Sequence, residues 1–155
     1  MQTDKVKYCK ADKADSAEIL ALQKIAYLSE AEKYDDFSMP PLLQTLPEIE
    51  LEFDTHIFLK AVIGTVIVGS VRAFYHNQTW NIGRLIVHPD NQCKGIGGTL
   101  LGEIEKYLGN GNRLEIFTGS ESLPTIRLYE KYGYRQCRTD RLSDKILLVF
   151  MEKFI

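Results

Sequence analysis

The chain has 155 residues, 45% of them hydrophobic and 26% charged, which suits one soluble domain with a full core across residues 1–155. A formal net charge of −2 leaves no basic surplus for nucleic acid, and the longest clean apolar run, Ile146 to Met151, is far too short for a bilayer. The polar opening MQTDKVKYCK reads as no signal peptide, and Cys9, Cys93 and Cys137, widely spread with no Cys-x-x-Cys pair, argue against a disulfide framework or a zinc site and for a reducing cytoplasm.

Val6 to Cys9 reads as a first strand and Asp15 to Leu28 as a helix. Asp15 and Glu18 have capping-box spacing, and Ile19, Leu22, Ile25 and Ala26 share one face. The polar, acidic stretch SEAEKYDDFSMPP reads as a surface loop. Leu42 to Phe53 is helical in two pieces, with Thr45 and Glu48 spaced as a second capping box and Pro47 in a first turn. HIFLKAV and TVIVGSVRAFY flank a hairpin signal at Ile63-Gly64, and TWNIGRLIV extends the antiparallel meander. A glycine-rich loop and a helix follow. Arg113 to Thr118 is a strand and Leu123 to Tyr132 a helix, with Ser122 placed to cap it and Gly133 to end it. Tyr134 to Arg138 and Lys145 to Phe154 close the chain as strands, giving the order β-α-α-β-β-β-α-β-α-β-β.

The loop carries the chemistry. A helix N-terminus exposes unpaired N–H groups and a partial positive charge, and glycines let backbone approach a phosphate closely. Gln92 to Thr99 reads as such a cradle, followed by the apolar stripe Ile96, Leu100, Ile104, Tyr107 and Leu108. A tight strand-to-helix turn is the plain alternative. The dinucleotide fingerprint fails, because Leu100 stands where its third glycine belongs, and no Gly-Lys-Ser/Thr completes a P-loop.

LIVHPDNQCKGIGGTLL, Leu85 to Leu101, resembles the signature of the GNAT superfamily of acyl-CoA N-acyltransferases: a strand ending in L-x-V-x-P, then Q/R-x-x-G-x-G/A opening a helix, with Gln92, Gly95 and Gly97 in the defining places. Leu128-Tyr129-Glu130-Lys131-Tyr132-Gly133-Tyr134 resembles the same family's LYEKLGF block, and the element order matches from Val6 to Phe154. The resemblance implies an α/β (α+β) fold with a mixed, mostly antiparallel central sheet of about seven strands flanked by four helices.

It also implies roles. The amides of Gln92, Cys93, Lys94, Gly95, Ile96, Gly97, Gly98 and Thr99 would hold the pyrophosphate of acetyl-CoA, the co-substrate. The pantetheine arm would lie against Leu85 and Val87, in a gap where that strand splays from Arg113–Thr118. A backbone N–H near Ile86 or Val87 would face the thioester carbonyl and stabilise the oxyanion. Tyr129 matches the family's general acid, while Tyr132 reads as packing. Ser122 and Thr125 stand where many relatives carry asparagine, and Thr79 to Val87 lacks the glutamate some relatives use as base. His56, His76 and His88 receive no role. Glu30, Glu32, Tyr34, Asp35 and Asp36 fall in the region that walls the acceptor site in relatives and would attract a cationic amine; solvated loop charge is the plain alternative. Cys93 is either a tolerated spacer or a thiol able to form a mixed disulfide with coenzyme A. The implied function is acetyl-CoA-dependent N-acetylation of a small amine through a tetrahedral intermediate, with no metal, no nucleic acid or membrane partner, and homodimerisation by analogy. The alternative is a non-catalytic acyl-CoA-binding module with the same fold.

Overall fold

The computed structural model describes residues 5–155. Helix α1, Ser16–Tyr34, grows out of a 3-10 turn at Lys13–Asp15. That turn has its own capping box, Asp12 with Asp15, one turn earlier than the pair read from the sequence. Glu18 is free for another task and accepts the Ile67 backbone N–H at 2.7 Å, tying the helix to the sheet.

Two expectations about α1 are corrected. It does not stop at Leu28 but continues through Ser29–Tyr34, because Tyr27, Ala31 and Tyr34 repeat at helical spacing and Ala31 and Tyr34 are buried. Glu30 and Glu32 therefore ride on a helix, and Asp35, in the left-handed region at φ 50°, ends it. The inward face is also rotated: Ile19, Leu22 and Gln23 are buried, whereas Ile25 is exposed. Gln23 is tolerated inside because its amide donates to Pro41 O and Gln44 Oε1, both at 2.9 Å. The two helical pieces that follow are α2, Pro40–Leu43, and α3, Leu46–Glu52, the second opened by the expected Thr45–Glu48 capping box.

Seven strands form one sheet: β1 Val6–Lys10, β2 Ile57–Ile63, β3 Val66–His76, β4 Thr79–Val87, β5 Arg113–Gly119, β6 Arg135–Arg141 and β7 Leu147–Phe154, in the order β1-β2-β3-β4-β5-β7-β6. Every neighbouring pair is antiparallel except β4 with β5. Strand β6 begins one residue later and runs farther than expected, with all of RQCRTDR exposed; its charges protect an edge that could otherwise recruit another strand. Helix α1, with Ile49 of α3, covers one face through Phe58, Ile67 and Ile86. Helices α4, Ile96–Leu108, and α5, Leu123–Lys131, cover the other, burying Leu100, Ile104 and Ile126 against Leu59, Val71, Leu114 and Met151. Tyr107, expected in the α4 stripe, is exposed; Leu101 takes the inner position.

Candidate active site

The site is built by an interruption of the sheet. Strands β4 and β5 pair only at Thr79–Arg113, Trp80–Leu114 and Asn81–Glu115. Beyond Asn81 the strands part, and the β5-facing backbone groups of β4 have no strand partner. On its other side β4 bulges against β3. Ser70 pairs with Ile86 and Arg72 with Gly83, so β4 spends one residue more than β3 over this interval. Arg84, in the bulge, sits in the left-handed region at φ 49°.

Through the gap runs a cleft of about 240 Å³. It draws Tyr27, Glu30 and Tyr34 from α1, Leu85, Ile86 and Val87 from β4, Gln92 from the loop, and Thr125 and Tyr129 from α5. Since α1 and α5 lie on opposite faces, the cleft passes through the sheet. All of these except Tyr27 were singled out in the sequence; Glu32 and Asp35 do not line the cleft. Both are exposed, and Lys145 bonds Asp35 O at 2.7 Å. Asp36 is occupied by Ser38 and Ser143. Leu142 and Ile146, from the β6–β7 connection, complete the wall and were not anticipated.

The loop from Gln92 to Gly95 is exposed, with Cys93 at φ 63° and Gly95 at φ 82°. Thr99 N bonds Gly95 O at 3.0 Å, so the amides of Ile96, Gly97 and Gly98, in the first turn of α4, have no intrahelical acceptor. The glycines divide by cause. A Cβ on Gly98 would collide with the Tyr132 ring, so Gly98 and Tyr132 are a packing pair. A Cβ on Gly97 would meet nothing closer than Val87 Cγ2 at 3.7 Å, so packing does not demand glycine there. A row of amides without intrahelical acceptors, beside a glycine that packing does not demand, fits a pyrophosphate. Gln92 reaches back to Val87 O at 3.4 Å, tying the loop to the strand before it.

Tyr129 is 4% exposed, and burial pushes its phenol well above the usual range, so it remains protonated at neutral pH. Ser122 does not cap α5 with its side chain, a correction to the sequence reading. Its Oγ donates to Glu30 Oε2 at 2.6 Å and lies 2.9 Å from Tyr34 OH, which also accepts the Glu121 backbone N–H. That network pins the α1 carboxylate across the gap from α5. Among the described residues no group of three His, Cys, Asp or Glu side chains is gathered as a metal would need.

Sequence reading missed the polar cluster beside the gap. Arg72, 3% exposed, donates to Glu52 Oε2 and Gln23 Oε1, and burial pushes its guanidinium down to about 10 against the pull of Glu52. Glu52, His56, Arg72 and Arg84 line a second cavity of about 340 Å³, which shares Gly83, Arg84 and Phe117 with the cleft. Nothing in strand alternation announces a buried arginine, and the bulge is a register effect invisible in composition.

A mixed sheet split beside a glycine loop at a helix start is the arrangement that the resemblance to the acyl-CoA acyltransferases implies. Residues 19–134 match the Acetyltransferase (GNAT) family, and the chain belongs to that family. The chain is 29% identical over 131 residues to the UPF0157 protein YqkA of Bacillus subtilis (strain 168), covering 84% of this chain but 38% of that protein. It is 31% identical over 108 residues to an acetyltransferase of Yersinia pestis (strain Pestoides F), covering 66% of this chain and 77% of that one. The PaiA N-acetyltransferase of Thermoplasma acidophilum, solved in complex with coenzyme A, shares the fold with a TM-score of 0.72 at 19% identity, covering 97% of this chain and 99% of that one. Among the described residues no helix is long and apolar enough to cross a membrane.

Proposed function

We propose that the protein is an acetyl-CoA-dependent N-acetyltransferase that acetylates the primary amine of a small molecule by direct attack on the thioester. One observation carries the reading: a single cleft through the sheet joins Gln92, the parted edge of β4, Tyr129 and Glu30. The amides from Cys93 to Gly98 hold the pyrophosphate, those of Gln92 and Thr99 being bonded to Pro89 O and Gly95 O. The pantetheine fills the gap and takes the backbone partners that β4 lacks near Leu85 and Val87. As the amine nitrogen attacks, the carbonyl electron pair moves to oxygen, and a backbone N–H near Ile86 or Val87 stabilises that oxyanion. Collapse of the tetrahedral intermediate breaks the C–S bond. The Tyr129 phenol, kept protonated by burial, gives its proton to the departing sulfur. Glu30 accepts from Ser122 through Oε2, which leaves Oε1 to take a proton from the bound ammonium and so free the lone pair that attacks. Three exposed, unpaired cysteines suit a reducing cytoplasm.

Calorimetric titration with acetyl-CoA, with ADP as control, tests the reading. Saturable binding well above ADP, followed by acceptor-dependent thiol release, supports it. Acetyl-CoA binding no tighter than ADP would overturn it.

A further inference from the structure

The Arg84 guanidinium stands out from the other charges around the gap because nothing neutralises it. Arg72 is held by Glu52 and Gln23, and Arg138 and Arg113 are held by Glu115. Arg84 makes no ion pair among the described residues, and its Nε is buried with no hydrogen-bond partner. Of the carboxylates around the two cavities, Glu52 pairs with Arg72 and Glu115 with Arg138 and Arg113, while Glu30 accepts from Ser122 through one oxygen and makes no ion pair with Arg84. Tyr27 on α1 is its titratable neighbour and shares a side-chain hydrogen bond with it. Burial pushes that phenol up against the opposing pull of the Arg84 charge, so it is neutral and supplies no counter-charge.

The placement of Arg84 is as unusual as its lack of an anionic partner. A left-handed backbone is unfavourable for a residue with a side chain, and the extra residue of the β4 bulge holds Arg84 there. The result is a guanidinium at the seam between the two cavities, lining both, one residue before the strand segment expected to hold the pantetheine. Pantetheine is uncharged, the pyrophosphate has the loop at the α4 N-terminus, and the 3′-phosphate of coenzyme A lies on the far side of that pyrophosphate from the pantetheine. The anion that Arg84 lacks is therefore not supplied by the acyl donor.

We infer that Arg84 anchors an oxyanion carried by the acceptor, so that the substrate is an amine bearing a carboxylate or phosphate close to its amino group, the α-amino acids being the simplest case. This rests on the N-acetyltransferase reading above. Arg84 fixes the anionic end from the α1 side of the sheet, and Glu30, on the same side, receives the ammonium end at the gap. A planar guanidinium matches a carboxylate with two parallel N–H···O bonds, which also sets the direction from which the nitrogen approaches. An acceptor lacking the anion leaves a buried donor unpaired, which is the situation in which a site discriminates most strongly.

The test compares four acceptors of one carbon skeleton: an α-amino acid, its carboxamide, the plain amine, and the matching aminoalkyl phosphonate. Each is titrated calorimetrically into protein saturated with coenzyme A, and its turnover with acetyl-CoA is then measured. The expected result is that one of the two anionic acceptors binds at least 30-fold more tightly than the carboxamide and the plain amine; whether it is the carboxylate or the phosphonate identifies the oxyanion. In Arg84→Gln that preference falls to less than threefold through loss of affinity for the anionic acceptor alone, with acetyl-CoA affinity retained. Arg84→Lys, which keeps the charge without the fork, recovers part of it. Equal binding of charged and neutral acceptors by the wild type overturns the inference, as does an Arg84→Gln protein that keeps its melting temperature and its preference. Because acceptor binding is read without turnover, these outcomes are separate from the failure of acetyl-CoA to bind, which would overturn the enzymatic reading instead.

Discussion

Tyr129 and Glu30 occupy the two walls of one gap, and each can be removed with little disturbance to packing. In Tyr129→Phe the ring remains beside Tyr134, whose centroid is 6.2 Å away, while the proton is gone. The expected loss in kcat is on the order of 10² to 10⁴, the usual worth of a positioned general acid, with acetyl-CoA affinity nearly unchanged by calorimetry. Glu30→Gln keeps an acceptor for Ser122 but loses the charge, so the KM of the amine should rise and kcat fall. Glu32→Gln, on the solvent side of the same helix, should leave both constants at wild-type values. A steady-state comparison in which the two variants behave alike would return the acidic group to simple surface charge. The sequence named these acids as a set and could not divide them. The division comes from helix phase: Glu30 lies one turn before Tyr34 on the side that faces α5, whereas Glu32 points away. Phase was recoverable from Tyr27, Ala31 and Tyr34, but the acidic composition of Ser29–Pro41 obscured it.

At the scale of elements, α4 offers a direct separation of fold from ligand binding. Gly98 lies against Tyr132, so Gly98→Ala should cost about 1–3 kcal/mol, as overpacking does. Combined with Tyr132→Ala it should cost less than the sum of the two, since the clash is shared. Gly97→Ala adds a methyl in a helix at ordinary contact distance from Val87 Cγ2, 3.7 Å, and Leu128 Cδ2, 3.8 Å, so its stability in urea should change by no more than about 1 kcal/mol, in either direction. Its acetyl-CoA affinity should nonetheless fall at least tenfold. If Gly97→Ala binds acetyl-CoA as the wild type does, the loop amides are not the pyrophosphate site. Most elements were legible because their signals are local: the Ile63-Gly64 hairpin, the Thr45–Glu48 cap and the Gly133 terminator sit where the sequence puts them. The β4 bulge was not legible, because it depends on how two strands align rather than on either strand alone. With the bulge went Arg84, and with the rotated face of α1 went Gln23 and Arg72.

On the scale of the whole molecule, the far half of the sheet is clasped by charge. Glu115 on β5, 8% exposed, takes a bidentate pair from Arg138 on β6 at 2.7 and 2.8 Å and a contact at 2.9 Å from Arg113, which also reaches Glu152 on β7 at 2.7 Å. Hydrogen bonding from Arg138, aided by Arg113, holds the Glu115 carboxyl below its ordinary 4.5. A carboxyl depressed in the folded state adds stability that is fully present above 4.5 and drains away as pH falls through the folded value. Glu115→Gln should therefore lose about 1–3 kcal/mol at neutral pH, and urea melts in progressively acidic buffer should bring variant and wild type together. A gap between them that stays constant with pH would remove the charge from the account.

The pairing of β4 with β5 at only three positions has a mechanical consequence. It leaves the sheet as two plates, β1 to β4 and β5 with β7 and β6, hydrogen-bonded to each other along one short seam and otherwise joined through the side chains packed under α4 and α5. Whatever fills the opening restores the missing rungs and welds the plates together. Amide hydrogens of Gly83–Val87 and Ile116–Gly119 should then slow their exchange in concert when acetyl-CoA is added, two strands stiffening as one because the ligand serves as the stretch of sheet that the chain leaves out.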